Sequence, residues 1–184
     1  MTTLLIVFGS TRPSRGGMPV ARWFENLARQ QAHFTVDFAD LAAVNLPLLD
    51  EPEHPVKQAY IHDHTKAWSQ QVAAAEALVF VTPEYDYFPP AALVNAIQYL
   101  SKEWSGKPAG IVSYGGLSGG LRSTQALRLL LSGVGLYALQ PSVSLPFYNQ
   151  HINEQGTFAA TDAMNKSAHG LLDELARMSA KLTP

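Results

Sequence analysis

The feature that most constrains this chain is an alternation of short, unbroken apolar runs with segments whose apolar residues recur at helical spacing. Leu4-Leu5-Ile6-Val7-Phe8 and Leu78-Val79-Phe80-Val81 contain no polar residue. A strand with one wet face alternates apolar and polar residues, whereas an unbroken run needs cover on both faces. Such runs predict strands over Leu4–Phe8, Phe34–Phe38, Ala77–Thr82 and Ala109–Ser113, with a fifth around Tyr137–Leu145. Between them the spacing changes to i, i+3/i+4, i+7. Val20, Phe24, Leu27 and Ala28 share one helical face, and so do Trp68, Val72 and Ala75. Leu93, Ala96, Ile97 and Leu100 repeat the pattern, followed by Leu127, Leu130, Leu131 and Val134, then by Leu171, Leu175, Met178 and Leu182.

Five strand–helix repeats imply an α/β fold: a parallel sheet with helices on both faces, because right-handed crossovers place them there. The expected strand order is 2-1-3-4-5, with a ligand crevice at the carboxyl ends of the strands. No linker, internal repeat or low-complexity tract divides the 184 residues, so the chain reads as one domain over residues 1–184. Leu46–Pro55 and Pro146–Gly156 read as surface loops.

Composition narrows the chemistry. The chain has no Cys, which removes disulfides, thiolate metal sites, iron–sulfur clusters and thiol redox reactions together. Its formal net charge of −2 gives no footprint for nucleic acid or an anionic membrane surface. The first apolar run is too short to span a bilayer and lacks a basic leader, so neither a signal peptide nor a membrane segment is expected. These features fit a cytoplasmic location.

Three loops carry the informative residues, each directly after a predicted strand and therefore on the crevice side. The first is Gly9-Ser10-Thr11-Arg12-Pro13-Ser14-Arg15-Gly16-Gly17, ahead of a helix. A helix start offers unpaired N–H groups and partial positive charge, hydroxyls and arginines add donors and charge, and glycines admit close approach. That set suits a phosphate, although the spacing is neither a Walker A loop nor G-x-G-x-x-G. The second is Thr82-Pro83-Glu84-Tyr85-Asp86-Tyr87-Phe88-Pro89-Pro90. Three aromatics in one loop are costly to leave wet, so they should cover a flat apolar ligand or meet a second subunit. The third, Ser113-Tyr114-Gly115-Gly116-Leu117-Ser118-Gly119-Gly120, allows main chain to pass close to a planar ligand with Tyr114 packed beside it.

Together these loops resemble those of the NADPH-dependent FMN reductase family, which includes azo-, quinone- and chromate-reducing flavoproteins. The similarity runs from about Leu4 to Phe147. Its most specific part is Val81-Thr82-Pro83-Glu84-Tyr85-Asp86-Tyr87 with Leu93-Val94-Asn95-Ala96-Ile97, supported by Gly106-Lys107-Pro108-Ala109 leading into Ser113-Tyr114-Gly115-Gly116. The resemblance implies a flavodoxin-like three-layer sandwich, noncovalent FMN, NADPH or NADH as co-substrate, a small-molecule electron acceptor, and a homodimer or homotetramer with flavin sites near the subunit boundary. It implies that Ser10, Arg12 and the Gly16, Gly17, Met18 turn hold the phosphate. Pro83, Glu84, Tyr85 and Asp86 would line one edge of the isoalloxazine, and Ser113, Tyr114, Gly115 and Gly116 the other. The family usually carries Asn at the position of Asp86 and Lys at that of Val94. An ionised Asp86 near the ring would lower the flavin potential, and Val94 removes a charge near the expected dimer contact. The implied reaction is a ping-pong hydride transfer that needs no protein acid or base, so no catalytic residue is assigned.

Other readings make distinct demands. Gly116-Leu117-Ser118-Gly119-Gly120 matches G-x-S-x-G, with Asp162 and His169 following in the order of a serine hydrolase, yet Ser118 lies five residues past the strand end, where a nucleophile elbow does not put it. His54, His62 and His64 lie near Glu53 and Asp63, but i, i+2 spacing does not set two imidazoles on one helical face, so no metal site is expected. The chain could instead be an FMN-binding electron carrier or redox-sensing protein without rapid nicotinamide turnover, although a low-potential carrier would favour a strongly acidic docking surface and the net charge is only −2. Trp23 and Trp68 fall on or beside apolar faces and read as core. Trp104 follows the third helix, where an amphipathic ring could serve a subunit interface.

Overall fold

A computed structural model describes residues 1–182. Four long parallel strands form the centre of one sheet: β1 (Thr2–Phe8), β2 (Phe34–Asp40), β3 (Ala77–Pro83) and β4 (Pro108–Gly115), in the order β2-β1-β3-β4. The fifth position is shared by two short strands, β5 (Tyr137–Ala138) and β6 (Val143–Pro146), both parallel to β4. The single predicted strand is therefore broken. Ala109 pairs with Ala138 and Val112 with Val143, so the four residues 139–142 stand opposite the two residues 110–111. Pro141 lies in that bulge and brings no N–H to the ladder. The Arg128 guanidinium takes the carbonyls of Leu139 and Gln140, which the bulge frees.

Side-chain alternation divides the interior into two layers. Leu4, Ile6, Phe8, Val79 and Val81 point to the face covered by α1 (Met18–Arg29) and α6 (Asp162–Leu182). Leu5, Val7, Leu78 and Phe80 point to the other face. There α3 (Asp63–Ala74), α4 (Ala91–Gln98) and α5 (Leu121–Gly133) pack, with the one-turn α2 (Leu41–Val44) at the edge. All nine of these side chains are fully buried, which is why the strands read as unbroken apolar runs. Each contributes about 1.5–3 kcal/mol by leaving water.

Trp104 corrects the interface expectation. It is fully buried, its Nε1 donates to Ile97 O at 3.0 Å, and its ring stands edge-on to Trp68 at 6.0 Å. Trp68 is buried in the same layer, with Nε1 donating to Ala96 O. Trp23 is only half-buried and donates to Asn165 Oδ1 across the α1–α6 seam. Among the described residues no helix is long and apolar enough to cross a membrane.

Candidate functional site

The loop between β1 and α1 is fixed from within. Gly9 N–H donates to Val81 O, tying the end of β1 to β3. Arg15 adopts φ +51°, and its guanidinium turns back to donate to Ser10 O at 2.7 Å and to Asp40 at 2.5 Å. Its charge is thus spent on holding the loop. Arg12 differs: it is exposed, makes no ion pair among the described residues, and lies 5.8 Å from the Tyr85 ring. Helix α1 begins after Gly17, and no side chain among the described residues caps it.

The β4 side follows from strand alternation, which sends Ser113 and Tyr114 to opposite faces. Ser113 is fully buried and donates to Gly119 O at 2.9 Å, so it anchors the following loop from behind. Gly119 and Gly120 have φ of +60° and +84°. A Cβ on Gly119 would stand 2.8 Å from Pro146 N, and one on Gly120 2.7 Å from Ser113 Cβ. These two glycines serve the turn itself. Gly116 has no such reason, since a Cβ there would meet nothing within 4 Å. Tyr114 is 3% exposed, and its ring reaches across to the β1–α1 loop. A Cβ on Gly17 would lie 2.0 Å from both Cζ and Oη of Tyr114. Burial pushes the Tyr114 phenol well above its ordinary pKa, and Oη closes no hydrogen bond of standard geometry among the described residues. The ring meets Tyr148 edge-to-face at 4.7 Å.

The β3–α4 loop forms the remaining wall. Glu84 accepts from Ser118 Oγ at 3.0 Å, from the Arg122 backbone N–H at 3.0 Å and from Arg122 Nε at 2.7 Å. Because Gly120 brings no side chain to the start of α5, the Glu84 carboxylate acts as its cap from the β3–α4 loop. Burial opposes ionisation of Glu84, but hydrogen bonds from Arg122, Ser118 and the α5 N–H groups outweigh it and hold the carboxyl below its usual range. Tyr85 and Phe88 then exchange two backbone hydrogen bonds of 2.9 Å around Asp86 and Tyr87, whose φ values are +48° and +74°. Positive φ at both central residues makes this a type I′ hairpin, strained at Tyr87. The Arg122 guanidinium sits 3.8 Å from the centre of the Tyr87 ring and holds the hairpin down. Tyr85 Oη and Ser10 Oγ lie 3.0 Å apart, joining this wall to the first.

Of the thirteen binding residues named from the sequence, ten line one cleft between these walls: Ser10, Arg12, Gly16 and Gly17; Pro83, Glu84 and Tyr85; Tyr114, Gly115 and Gly116. Asp86 lies on an adjoining shelf with Arg12, Glu84 and Tyr85. Two fall elsewhere. Met18 faces a separate groove along α1 beside Trp23 and Leu27, and Ser113 is buried beneath the cleft. Tyr148 and Asn149 also line the cleft, from a single 3-10 turn after β6. Sequence reading placed them in a surface loop. Their position just past the carboxyl end of the last strand was the available signal.

The structure does not assemble a hydrolytic triad. Ser118 Oγ donates to Glu84, while His169 lies in α6 with Nδ1 3.0 Å from Gln31 Nε2. His62 and His64 do come together, contrary to the spacing argument. They meet at the start of α3 rather than along its face, with rings stacked 5.1 Å apart. His64 Nε2 lies 3.0 Å from Asp50. Among the described residues no group of three or more His, Cys, Asp or Glu is arranged to hold a metal ion.

Comparison with known proteins bears on this cleft. An NAD(P)H-dependent FMN reductase of Schizosaccharomyces pombe is 40% identical over 119 residues, covering 64% of this chain and 60% of that protein. The alignment thus spans about three-fifths of that relative's length. A 2-hydroxy-1,4-benzoquinone reductase of a Burkholderia species is 30% identical over 172 residues, covering 86% of each chain. Among solved structures, a flavoenzyme NAD(P)H:(acceptor) oxidoreductase from Paracoccus denitrificans superposes with a TM-score of 0.78 at 20% identity, over 98% of both chains, and so shares the fold. The sequence profile described as NADPH-dependent FMN reductase matches residues 2–150, which take in both walls of the cleft and the turn that closes it. This chain belongs to the NADPH-dependent FMN reductase family.

Proposed function

We propose that this chain binds FMN in the cleft and transfers electrons from NADPH or NADH to a quinone, an azo compound, a flavin or a similarly small acceptor. The observation that carries the reading is the convergence of ten sequence-named residues from three loops on one cleft at the carboxyl edge of the sheet. The groups present fit FMN. At one end, among the described residues, Arg12 makes no ion pair, no side chain caps the helix start, and the buried Tyr114 hydroxyl has no partner. These suit a phosphate monoester. At the other end, open space beside Gly116 lets a flat ring approach the backbone.

FMN when bound supplies the redox chemistry, taking a hydride from the nicotinamide and passing electrons to the second substrate. The protein positions and tunes. Arg12 contributes positive charge, the hydroxyls of Ser10 and Ser14 contribute donors, and Gly115 and Gly116 present main chain to a carbonyl edge. Glu84 is held ionised by Arg122 and so is not poised to give up a proton. No acid or base is needed, and no residue is assigned a proton transfer.

The reading includes one FMN domain over the whole chain, a cytoplasmic setting, and a homodimer or homotetramer. Tyr87, Phe88, Leu117 and Phe147 stand exposed on loops at the cleft side of the sheet, which supports cover by a second copy. Light scattering on the purified protein tests the assembly. The function is tested by the visible spectrum after addition of FMN, followed by anaerobic NADPH and then a benzoquinone. Flavin bands that bleach with NADPH and return with quinone are the expected result. Bound flavin that neither NADPH nor NADH bleaches would leave an electron carrier instead.

A further inference from the structure

Two buried side-chain atoms among the described residues lack a hydrogen-bond partner, Thr65 Oγ1 and Tyr114 Oη. Thr65 lies in α3 beside the Glu51 carboxylate, whereas Tyr114 lines the cleft. We infer that the Tyr114 hydroxyl is the donor that recognises the phosphate monoester of the flavin, and so sets a preference for FMN over unphosphorylated riboflavin. The inference rests on the function proposed above and assigns Tyr114 to the phosphate rather than to the ring.

Placement is the first argument. Tyr114 leaves β4, but its ring ends against Gly17, the cap residue of α1, with Cζ and Oη 2.0 Å from where a Cβ would stand. Glycine at 17 is required for the phenol to lie there. Tyr148 holds the ring from another side at 4.7 Å, and the Tyr148 hydroxyl lies 3.1 Å from where a Cβ on Gly16 would stand. The hydroxyl is thereby fixed at the start of an uncapped helix, next to the loop that carries Arg12.

Satisfaction is the second. A buried donor left unmade destabilises the empty protein, so a hydroxyl in that state signals a partner that arrives from outside. Ser10 lies close enough to favour the ionised phenol, but the two hydroxyls close no hydrogen bond of standard geometry, and Ser10 Oγ lies 3.0 Å from Tyr85 Oη. Burial keeps Tyr114 protonated, and thus a donor, throughout the physiological range. The carboxylate in the cleft lining, Glu84, is taken by Arg122 and Ser118 and does not compete. A phosphate monoester brings three strong acceptor oxygens and negative charge, where a riboflavin hydroxyl brings neither.

The test is Tyr114→Phe, with equilibrium titrations of FMN and riboflavin against both proteins and melting temperatures recorded without ligand. The FMN Kd is expected to rise about 10- to 100-fold, while the riboflavin Kd moves less than about twofold. The melting temperature of the empty variant should equal or exceed that of wild type, because the substitution removes an unsatisfied hydroxyl. The phosphorus resonance of bound FMN should shift between the two proteins. Equal losses for FMN and riboflavin, or an unchanged FMN Kd, would overturn the inference and leave the proposed function standing. Wild-type protein that binds neither flavin would overturn that function, and the inference with it.

Discussion

The two walls of the cleft are built on opposite terms. Around Glu84, every donor in reach is answered: Ser118, the Arg122 guanidinium and the first N–H groups of α5 all meet one carboxylate, and Arg122 also covers Tyr87. Around Gly17, the cation Arg12 makes no ion pair among the described residues, the helix start has no side-chain cap, and the Tyr114 hydroxyl has no partner. The first wall is satisfied by the protein's own groups and acts as scaffold. The second leaves these groups without partners among the described residues, and on the proposed function they meet the phosphate. Fold and function therefore draw on different residues within a single cleft, and substitutions on the two walls should separate stability from binding.

Gly17→Ala should produce the largest effect. The added Cβ would overlap the Tyr114 phenol, which Tyr148 and the core prevent from retreating. Overpacking of this kind costs about 1–3 kcal/mol of stability. It also displaces the phenol from the phosphate end, so FMN affinity should fall by about 100-fold or more, roughly 2.7 kcal/mol. Flavin fluorescence titration measures the loss. Retained affinity would show that the Tyr114–Gly17 contact has no part in binding.

On the opposite wall, Glu84→Ala should act on folding. It strips the cap from α5 and leaves Ser118 and Arg122 without their acceptor, a loss of about 2–3 kcal/mol in urea unfolding. FMN affinity of the protein that remains folded should change only a few-fold. If binding collapses while stability holds, Glu84 belongs to the ligand and the contrast between the walls is reversed.

Arg12→Ala isolates the unsatisfied wall more gently. Unfolding should be unchanged within about 0.5 kcal/mol, since the side chain is exposed and makes no ion pair among the described residues. FMN affinity should drop about tenfold, and the remaining binding should depend less on ionic strength. Titrations at low and high salt read both effects.

How far the sequence disclosed this asymmetry depends on the physics of each residue. Strand order and the two-layer core were legible because Leu4 to Phe8 and Leu78 to Val81 can satisfy an unbroken apolar run in only one kind of sheet. The broken fifth strand was not, because Tyr137 to Leu145 is apolar enough for one strand and the bulge depends on Arg128, which lies on α5. Trp104 was misplaced for a related reason: its polar neighbours in sequence say nothing about the Trp68 and Phe80 rings that fold over it. In the cleft, the loops were legible from their glycines, aromatics and arginines. The division of labour was not. Arg12 and Arg15 are equivalent in sequence, yet only Arg15 reaches Asp40, and that pairing is made by β2. Ser113 and Tyr114 are adjacent, yet strand alternation sends one beneath the cleft and the other into it.

The smallest effect is a difference in pH response between the two walls. Glu84 titrates below the usual carboxylate range in the folded protein, because hydrogen bonds from Arg122 and Ser118 outweigh its burial. A carboxyl depressed in this way stabilises the fold fully above its unfolded pKa, and the contribution is lost as pH falls through the lower folded value. The stability gap between wild type and Glu84→Gln should accordingly be constant near neutrality and shrink on acidification below about pH 4.3. Flavin binding should not follow that curve. Where the phosphate is proposed to sit, Arg12 shares a shelf with Asp86 and with Glu84, which Arg122 already pairs, while Ser14, the glycines, Tyr114, Tyr148 and Asn149 bring no carboxylate. Affinity should instead track the second ionisation of the ligand's own phosphate, weakening as pH drops through about 6. It should do so equally in wild type and in Glu84→Gln, and an FMN affinity whose pH midpoint moves with that substitution would join the two walls into one electrostatic unit.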